Sequence, residues 1–123
     1  MKNYFSDDEL KCHCCGVLNF NPNTLRRLNL LRKEYGKPIM IESGYRCPKH
    51  NKEVSDTGES GPHTTGQAID IIVSGGNALT LLVLAVKYGF TGIGIQQKGQ
   101  NRFLHFDDLL ESYGRPRPWI WTY

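Results

Sequence analysis

The run Ala68-Ile-Asp-Ile-Ile-Val73 constrains this chain more than any other stretch. Its β-branched residues, entered from turn-forming ones, predict a short buried strand with Asp70 inside it. A carboxylate in that position needs a cation, because an unpaired buried charge is too costly to keep. His63 stands seven residues earlier, in Ser60-Gly-Pro-His63-Thr-Thr-Gly66. Pro62 and Gly66 put it on a turn feeding the strand, within range of the acid.

A second segment, Arg102-Phe-Leu-His105-Phe-Asp107-Asp108, brings another imidazole into a strand-like apolar setting. Period-two alternation puts Phe103, His105 and Asp107 on one face and Leu104 and Phe106 on the other. Two histidines and one carboxylate are the donor set of a catalytic zinc site whose fourth position stays open to water. His63, Asp70 and His105 are therefore expected to bind Zn²⁺.

The rest of the chain reads as support. Asn21-Pro22 predicts a helix start, with Leu25, Leu28, Leu31 and Tyr35 at helical spacing and Gly36 and Pro38 ending it. Ile39 to Ser43 reads as a strand leaving through Ser43-Gly-Tyr-Arg46, so that Arg46 projects from a strand end as a fork for a carboxylate or carbonyl oxygen. The polar loop from Ser55 to Pro62 is expected to line the site. Ala78 to Tyr88 predicts a helix with Leu79, Leu82 and Ala85 on its inner face and Gly89 as its stop. Gly92-Ile-Gly-Ile95 reads as a strand allowing close backbone approach, joined by a polar connection to an antiparallel partner carrying His105. The tail from Gly114 to Tyr123, with two prolines and two tryptophans, is expected to pack back on the sheet.

With 123 residues there is material for one core and not two, so residues 1–123 are expected to form a single domain. The hydrophobic share of 39% beside 22% charged residues is that of an ordinary globular chain, and no apolar run approaches membrane-spanning length. A net charge of +3 is too small to argue nucleic-acid binding. The acidic opening around Ser6-Asp-Asp-Glu9 stands where a secretory signal would be apolar, so synthesis in the cytoplasm without an export address is expected. Cysteines in such a chain are expected as thiols.

Cys12 and Cys15 are spaced C-x₂-C, and Cys47 and His50 C-x₂-H, so these four could close a structural zinc site; the alternative is that the thiols are core residues. A nucleic-acid zinc knuckle finds no support, since no histidine follows Cys15 until His50 and no basic stripe interleaves with aromatics. A cysteine peptidase built on Cys47 finds none either, because Pro48 and the adjacent turn show no activated thiol.

The block from His63 to Asp70, taken with Phe5-Ser-Asp-Asp-Glu-Leu10, Leu31-Arg32, Pro38-Ile39, Ser43-Gly-Tyr-Arg-Cys-Pro48, His50-Asn51 and Leu104-His-Phe-Asp107, resembles a known family. It is that of the zinc D-alanyl-D-alanine carboxypeptidases and L-alanyl-D-glutamate endopeptidases, peptidase M15, in its short phage and bacterial single-domain members. Their fold is shared with the Hedgehog signalling domain. The resemblance implies an α+β fold, a small antiparallel sheet packed against helices. It implies zinc on His63, Asp70 and His105, substrate contact by Arg46, and a peptidoglycan stem peptide as substrate, acted on by a monomer at the cell wall, as in a phage lysis enzyme or a virion-borne wall hydrolase.

Many members place their catalytic carboxylate three residues before the third ligand, where this chain has Arg102. Asp107 is then expected as the general base, with Asp108 second, and the alternative for Asp107 is that it orients His105. The competing function is a zinc-containing module of the same fold that binds without cutting.

Overall fold

Capping chemistry and apolar spacing account for the helices in a computed structural model that describes residues 2–123. The elements run α1 (Asp7–Leu10), α2 (Pro22–Tyr35), β1 (Met40–Ser43), α3 (Pro48–Val54), two 3₁₀ turns (Gly58–Ser60 and Pro62–Thr65), β2 (Ala68–Ile72), α4 (Gly75–Lys87), β3 (Gly92–Gln96), β4 (Phe103–Asp107) and β5 (Trp119–Thr122). The side chain of Asn21 accepts the amides of Asn23 at 2.9 Å and Thr24 at 3.1 Å, and Pro22 occupies the first turn, where it loses no hydrogen bond. Gly36, left-handed at φ +74°, ends α2 where its sequence places the stop.

The five strands lie in the order β1-β2-β4-β3-β5, with every pairing antiparallel except β3 with β5 at one edge. The fold is α+β, as expected. One sheet face, carrying Ile69, Ile71, Leu104 and Phe106, meets Leu28 and Leu31 of α2 and Ala78, Leu81 and Ala85 of α4 in a common core. Burial of each large aliphatic or aromatic side chain there contributes about 1.5–3 kcal/mol. The opposite face is polar at its centre, where the register sets Asp70 directly across from His105 and Ser43 across from Asp70. No helix among the described residues is long and apolar enough to cross a membrane.

The tail packs back as expected, and does so as β5 beside β3. The open backbone anticipated for β3 has two uses: a Cβ at Gly92 would overlap the Asp107 carboxylate, and one at Gly94 would come within 2.8 Å of the Trp121 ring.

Three elements differ from the sequence expectation. Helices α1 and α3 are too short for periodicity to show; α1 rests on a capping box between Ser6 and Glu9, and α3 on the Cys47 side chain capping its first turn ahead of Pro48. Helix α4 starts at Gly75, and its buried residues are Ala78, Leu81, Leu84 and Ala85, whereas Leu79 is 65% exposed. The run Leu-Leu-Val-Leu-Ala-Val is apolar on nearly every side, so its period could not single out the inner face.

Gly66 follows the turn bearing His63 at φ +75°, and a Cβ there would overlap the carbonyl oxygen of Asn19, whereas Gly99 at φ +74° has open space around it. Gly99→Ala is expected to cost only the left-handed penalty of about 1–2 kcal/mol. Gly66→Ala should cost clearly more, because the Asn19 backbone must also move. Urea unfolding of both variants, with equal m-values, checks the difference.

Candidate metal centre

Three donors from two strands and a turn converge on one point. The Asp70 Oδ2 atom lies 3.2 Å from Nε2 of His63, and Oδ1 lies 3.1 Å from Nδ1 of His105. All three side chains are buried, and the rings of the two histidines meet edge to face with centroids 5.1 Å apart. Donor atoms on tetrahedral zinc, bonded at about 2.0–2.2 Å, are separated by roughly 3.3 Å, close to both contacts of Asp70, and the three donors lie within 4.8 Å of one another.

The outer partners of each ring decide what the inner nitrogens present. Nδ1 of His63 is 2.8 Å from the carbonyl oxygen of Gly44, which can only accept, so the ring proton sits on Nδ1 and Nε2 turns a lone pair toward Asp70. Nε2 of His105 is 2.8 Å from the Asp107 carboxylate, so it carries the proton and Nδ1 turns its lone pair inward. Two imidazole lone pairs and an ionised carboxylate thus face one another with no hydrogen between them. Only a cation satisfies such an arrangement: either extra protons on the histidines or a metal ion.

Electrostatics agree. Burial alone would raise the pKa of Asp70, but histidines carrying the extra protons hold it well below the usual carboxylate range, through the charge of His63 and hydrogen bonds from both rings. Burial acts against charging His105, yet Asp107 and Asp70 together push its pKa up. Asp107, buried but bonded by His105 and Arg117, is lowered to about 2.

The turn carrying His63 is anchored twice. Besides the ring contact to Gly44, the carbonyl of His63 accepts the amide of Arg46 at 3.1 Å, and the carbonyl of Gly66 accepts that of Asn21 at 2.8 Å. Arg46 spends its guanidinium on three groups: Nε donates to Ser43 Oγ at 3.0 Å, Nη1 to Asn51 Oδ1 at 3.1 Å and Nη2 to Asp70 Oδ2 at 3.2 Å. The cation required by Asp70 therefore comes in part from a residue 24 positions away.

The site opens into a cavity of about 350 Å³ walled by Arg46, Val54, Thr57, Phe103, Trp121 and Tyr123 and reached by the Ser55–Pro62 loop. Trp121 packs against His105 at a tilt of 51°, with centroids 5.0 Å apart. Partial burial, then the charge on Asp70, pushes the Tyr123 phenol up to about 12, although the residue as a whole is 59% exposed, so it stays protonated as a donor.

Asp107 does not face this cavity. It is fully buried on the far side of His105, where Arg117 grips both its oxygens, Nε to Oδ1 at 2.9 Å and Nη2 to Oδ2 at 2.8 Å. This geometry matches the orienting carboxylate better than the general base expected of it, since Asp107 is fully buried, does not line the cavity and has its oxygens bonded by Arg117 and His105. Asp108 points toward α2, bonded by Thr24 at 2.9 Å and paired with Arg27 at 3.4 Å. Arg102 is exposed and donates to the carbonyl of Gly99. Asp70 is the one carboxylate lining the cavity among the described residues.

Arg117 and Asn51 are site residues that the sequence did not disclose. Asp107, an acid on a strand of apolar residues, needs a cation as Asp70 does, and that is the signal by which an arginine could have been sought. The cysteine expectation is corrected in one member: Cys12, Cys14, Cys15 and Cys47 gather, and Cys14 takes the place expected of the His50 side chain.

An α+β domain that offers two imidazoles and a carboxylate to a cation at the floor of an open cavity has the construction of a metallopeptidase. The chain belongs to the peptidase M15 family, whose pattern it matches over residues 3–107. No protein of curated function matches it.

Arg117→Ala is expected to leave Asp107 buried without its cation and to destabilise the fold by about 3–5 kcal/mol. It should also weaken zinc binding by roughly 10–100-fold, because His105 loses its fixed orientation. Denaturant unfolding and competition with a chelator of known affinity measure the two effects.

Proposed function

We propose that this chain is a zinc peptidase that hydrolyses peptide bonds in the stem peptides of peptidoglycan. The observation that carries the proposal is the set of inward lone pairs on His63, Asp70 and His105 at the floor of a cavity that a peptide can enter. Family membership supports peptidase chemistry, and the resemblance to D-alanyl-D-alanine carboxypeptidases and L-alanyl-D-glutamate endopeptidases supports the substrate. That substrate puts the place of action at the cell wall, and the reading takes the chain as a monomer, in the manner of a phage lysis enzyme or virion-borne hydrolase.

His63, Asp70 and His105 would hold the ion, which supplies a water acidified to a pKa of ~7 and a Lewis acid for the scissile carbonyl. The chain's own residues orient the ligands and hold the substrate. Asp107 keeps His105 in the tautomer that turns Nδ1 inward. Arg46, fixed by Ser43 and Asn51, presents its guanidinium edge to a substrate carboxylate or to the developing oxyanion, and the protonated Tyr123 phenol donates from the opposite wall. Phe103 and Trp121 give apolar contact suited to the methyl groups of alanine residues. No nucleic acid or membrane surface enters this account.

One observation favours a second reading, a wall-binding module that does not cut: the cavity has no carboxylate besides Asp70, and Arg102 stands where many relatives have one. Digestion of purified peptidoglycan with mass analysis of the fragments separates the two. Zinc-dependent appearance of new amino groups, abolished by a chelator and by His105→Ala, is expected. Unchanged peptidoglycan with zinc bound would establish the binding module.

Arg46→Ala is expected to lower turnover on the order of a hundredfold. Asp107→Asn should weaken zinc roughly 10–100-fold yet retain turnover at saturating zinc. Complete loss of turnover with zinc still bound would return the general-base role to Asp107.

A further inference from the structure

We propose that Cys12, Cys14, Cys15 and Cys47 bind a second zinc ion in a closed, structural site. Their sulfurs are brought together from two segments and can all lie within 4.8 Å of one another. Sγ of Cys14 is 3.3 Å from that of Cys47 and 3.7 Å from that of Cys12. Sulfurs at the corners of a zinc tetrahedron, each bonded at about 2.3 Å, stand roughly 3.8 Å apart. All four cysteines are free, so none of these approaches is a disulfide.

Packing does not explain the cluster. Cys12 is buried, but Cys14 and Cys15 are exposed, and exposed thiols gain nothing from a core. The backbone around them is arranged for negative sulfur instead. The amide of Cys47 donates to Sγ of Cys12 at 3.3 Å, and the amide of His50 donates to Sγ of Cys47 at 3.4 Å. A tight reversal presents the first three thiols together: the amide of Cys12 bonds the carbonyl of Val17 and the amide of Gly16 that of Cys12, both at 2.9 Å, with Gly16 left-handed at φ +74°.

Four protein donors leave no position for substrate, which makes the site a clasp rather than a second reaction centre. Binding is proton-coupled and needs no oxidant: each thiol gives up its proton to solvent and its sulfur forms one bond to zinc. The clasp joins the N-terminal segment to the turn from Gly44 to Cys47, where the amide of Tyr45 already bonds the carbonyl of Leu10 at 2.9 Å. That turn also supplies the Gly44 carbonyl to His63 and the Arg46 guanidinium to Asp70. The second ion would therefore hold in place the segment that positions the first.

Metal counting by mass spectrometry on the full chain, purified under reducing conditions, tests this independently of any peptidase activity. Two zinc ions per chain are expected in the native protein, and one in the double variant His63→Ala/His105→Ala. Cobalt loaded into that double variant should show thiolate-to-cobalt charge-transfer absorption. Cys14→Ser/Cys15→Ser should keep only the histidine-bound ion, and should it fail to fold, the double-histidine variant still decides. A single zinc in the native protein, with four thiols reacting freely with a thiol reagent in the double-histidine variant, would overturn the proposal. A mass lowered by the hydrogens of a disulfide would do the same.

Discussion

A buried negative charge at Asp70 is the constraint from which the rest of the structure follows. Left alone, a carboxylate in the middle of a sheet would be neutralised or would unfold its strand. The chain instead encloses it with His63 from a turn, His105 from the neighbouring strand and Arg46 from the end of β1. These come from three stretches far apart in sequence, so formation of the sheet and assembly of the site are one event. Two of the three partners are histidines with lone pairs turned inward, and that choice makes the site suited to a metal rather than to a plain ion pair.

A second enclosed acid stands behind the first. Asp107 is satisfied by Arg117 and by His105, and the space its carboxylate occupies exists because Gly92 has no side chain. Arg117 in turn lies over the Trp121 ring at 5.3 Å, and Trp121 packs at a tilt against His105 across the gap left by Gly94. Strand β5 is thus more than a cover for the sheet edge. It supplies the aromatic wall of the cavity through Trp121, and the segment leading into it supplies Arg117, the cation that fixes the outer carboxylate.

The convergence of His63, Asp70 and His105 was legible in the sequence because its evidence is local: an acid in an apolar run, an imidazole on an adjoining turn and another on an alternating strand. Helix α2 was legible for a similar reason, its cap, stripe and stop all lying within one window. The role of Asp107 was not, since alternation put it correctly on the His105 face but could not show that Arg117 would claim it from the tail. Cys14 escaped because sequence spacing favours C-x₂-C and C-x₂-H pairs, whereas the turn at Gly16 folds three adjacent-region thiols onto one side. Arg46 was read as a fork projecting toward a substrate carboxylate or carbonyl, and its guanidinium bonds Ser43, Asn51 and Asp70, partners that no local pattern names.

The central claim is that fixed outer partners turn Nε2 of His63 and Nδ1 of His105 inward as bare acceptors for a metal. Imidazole nitrogen-15 chemical shifts, recorded on the metal-free and zinc-loaded protein, test it most directly. Zinc should move the shifts of His63 Nε2 and His105 Nδ1 alone, while His63 Nδ1 and His105 Nε2 keep their protons throughout. Both rings fully protonated and unmoved at saturating zinc would contradict it.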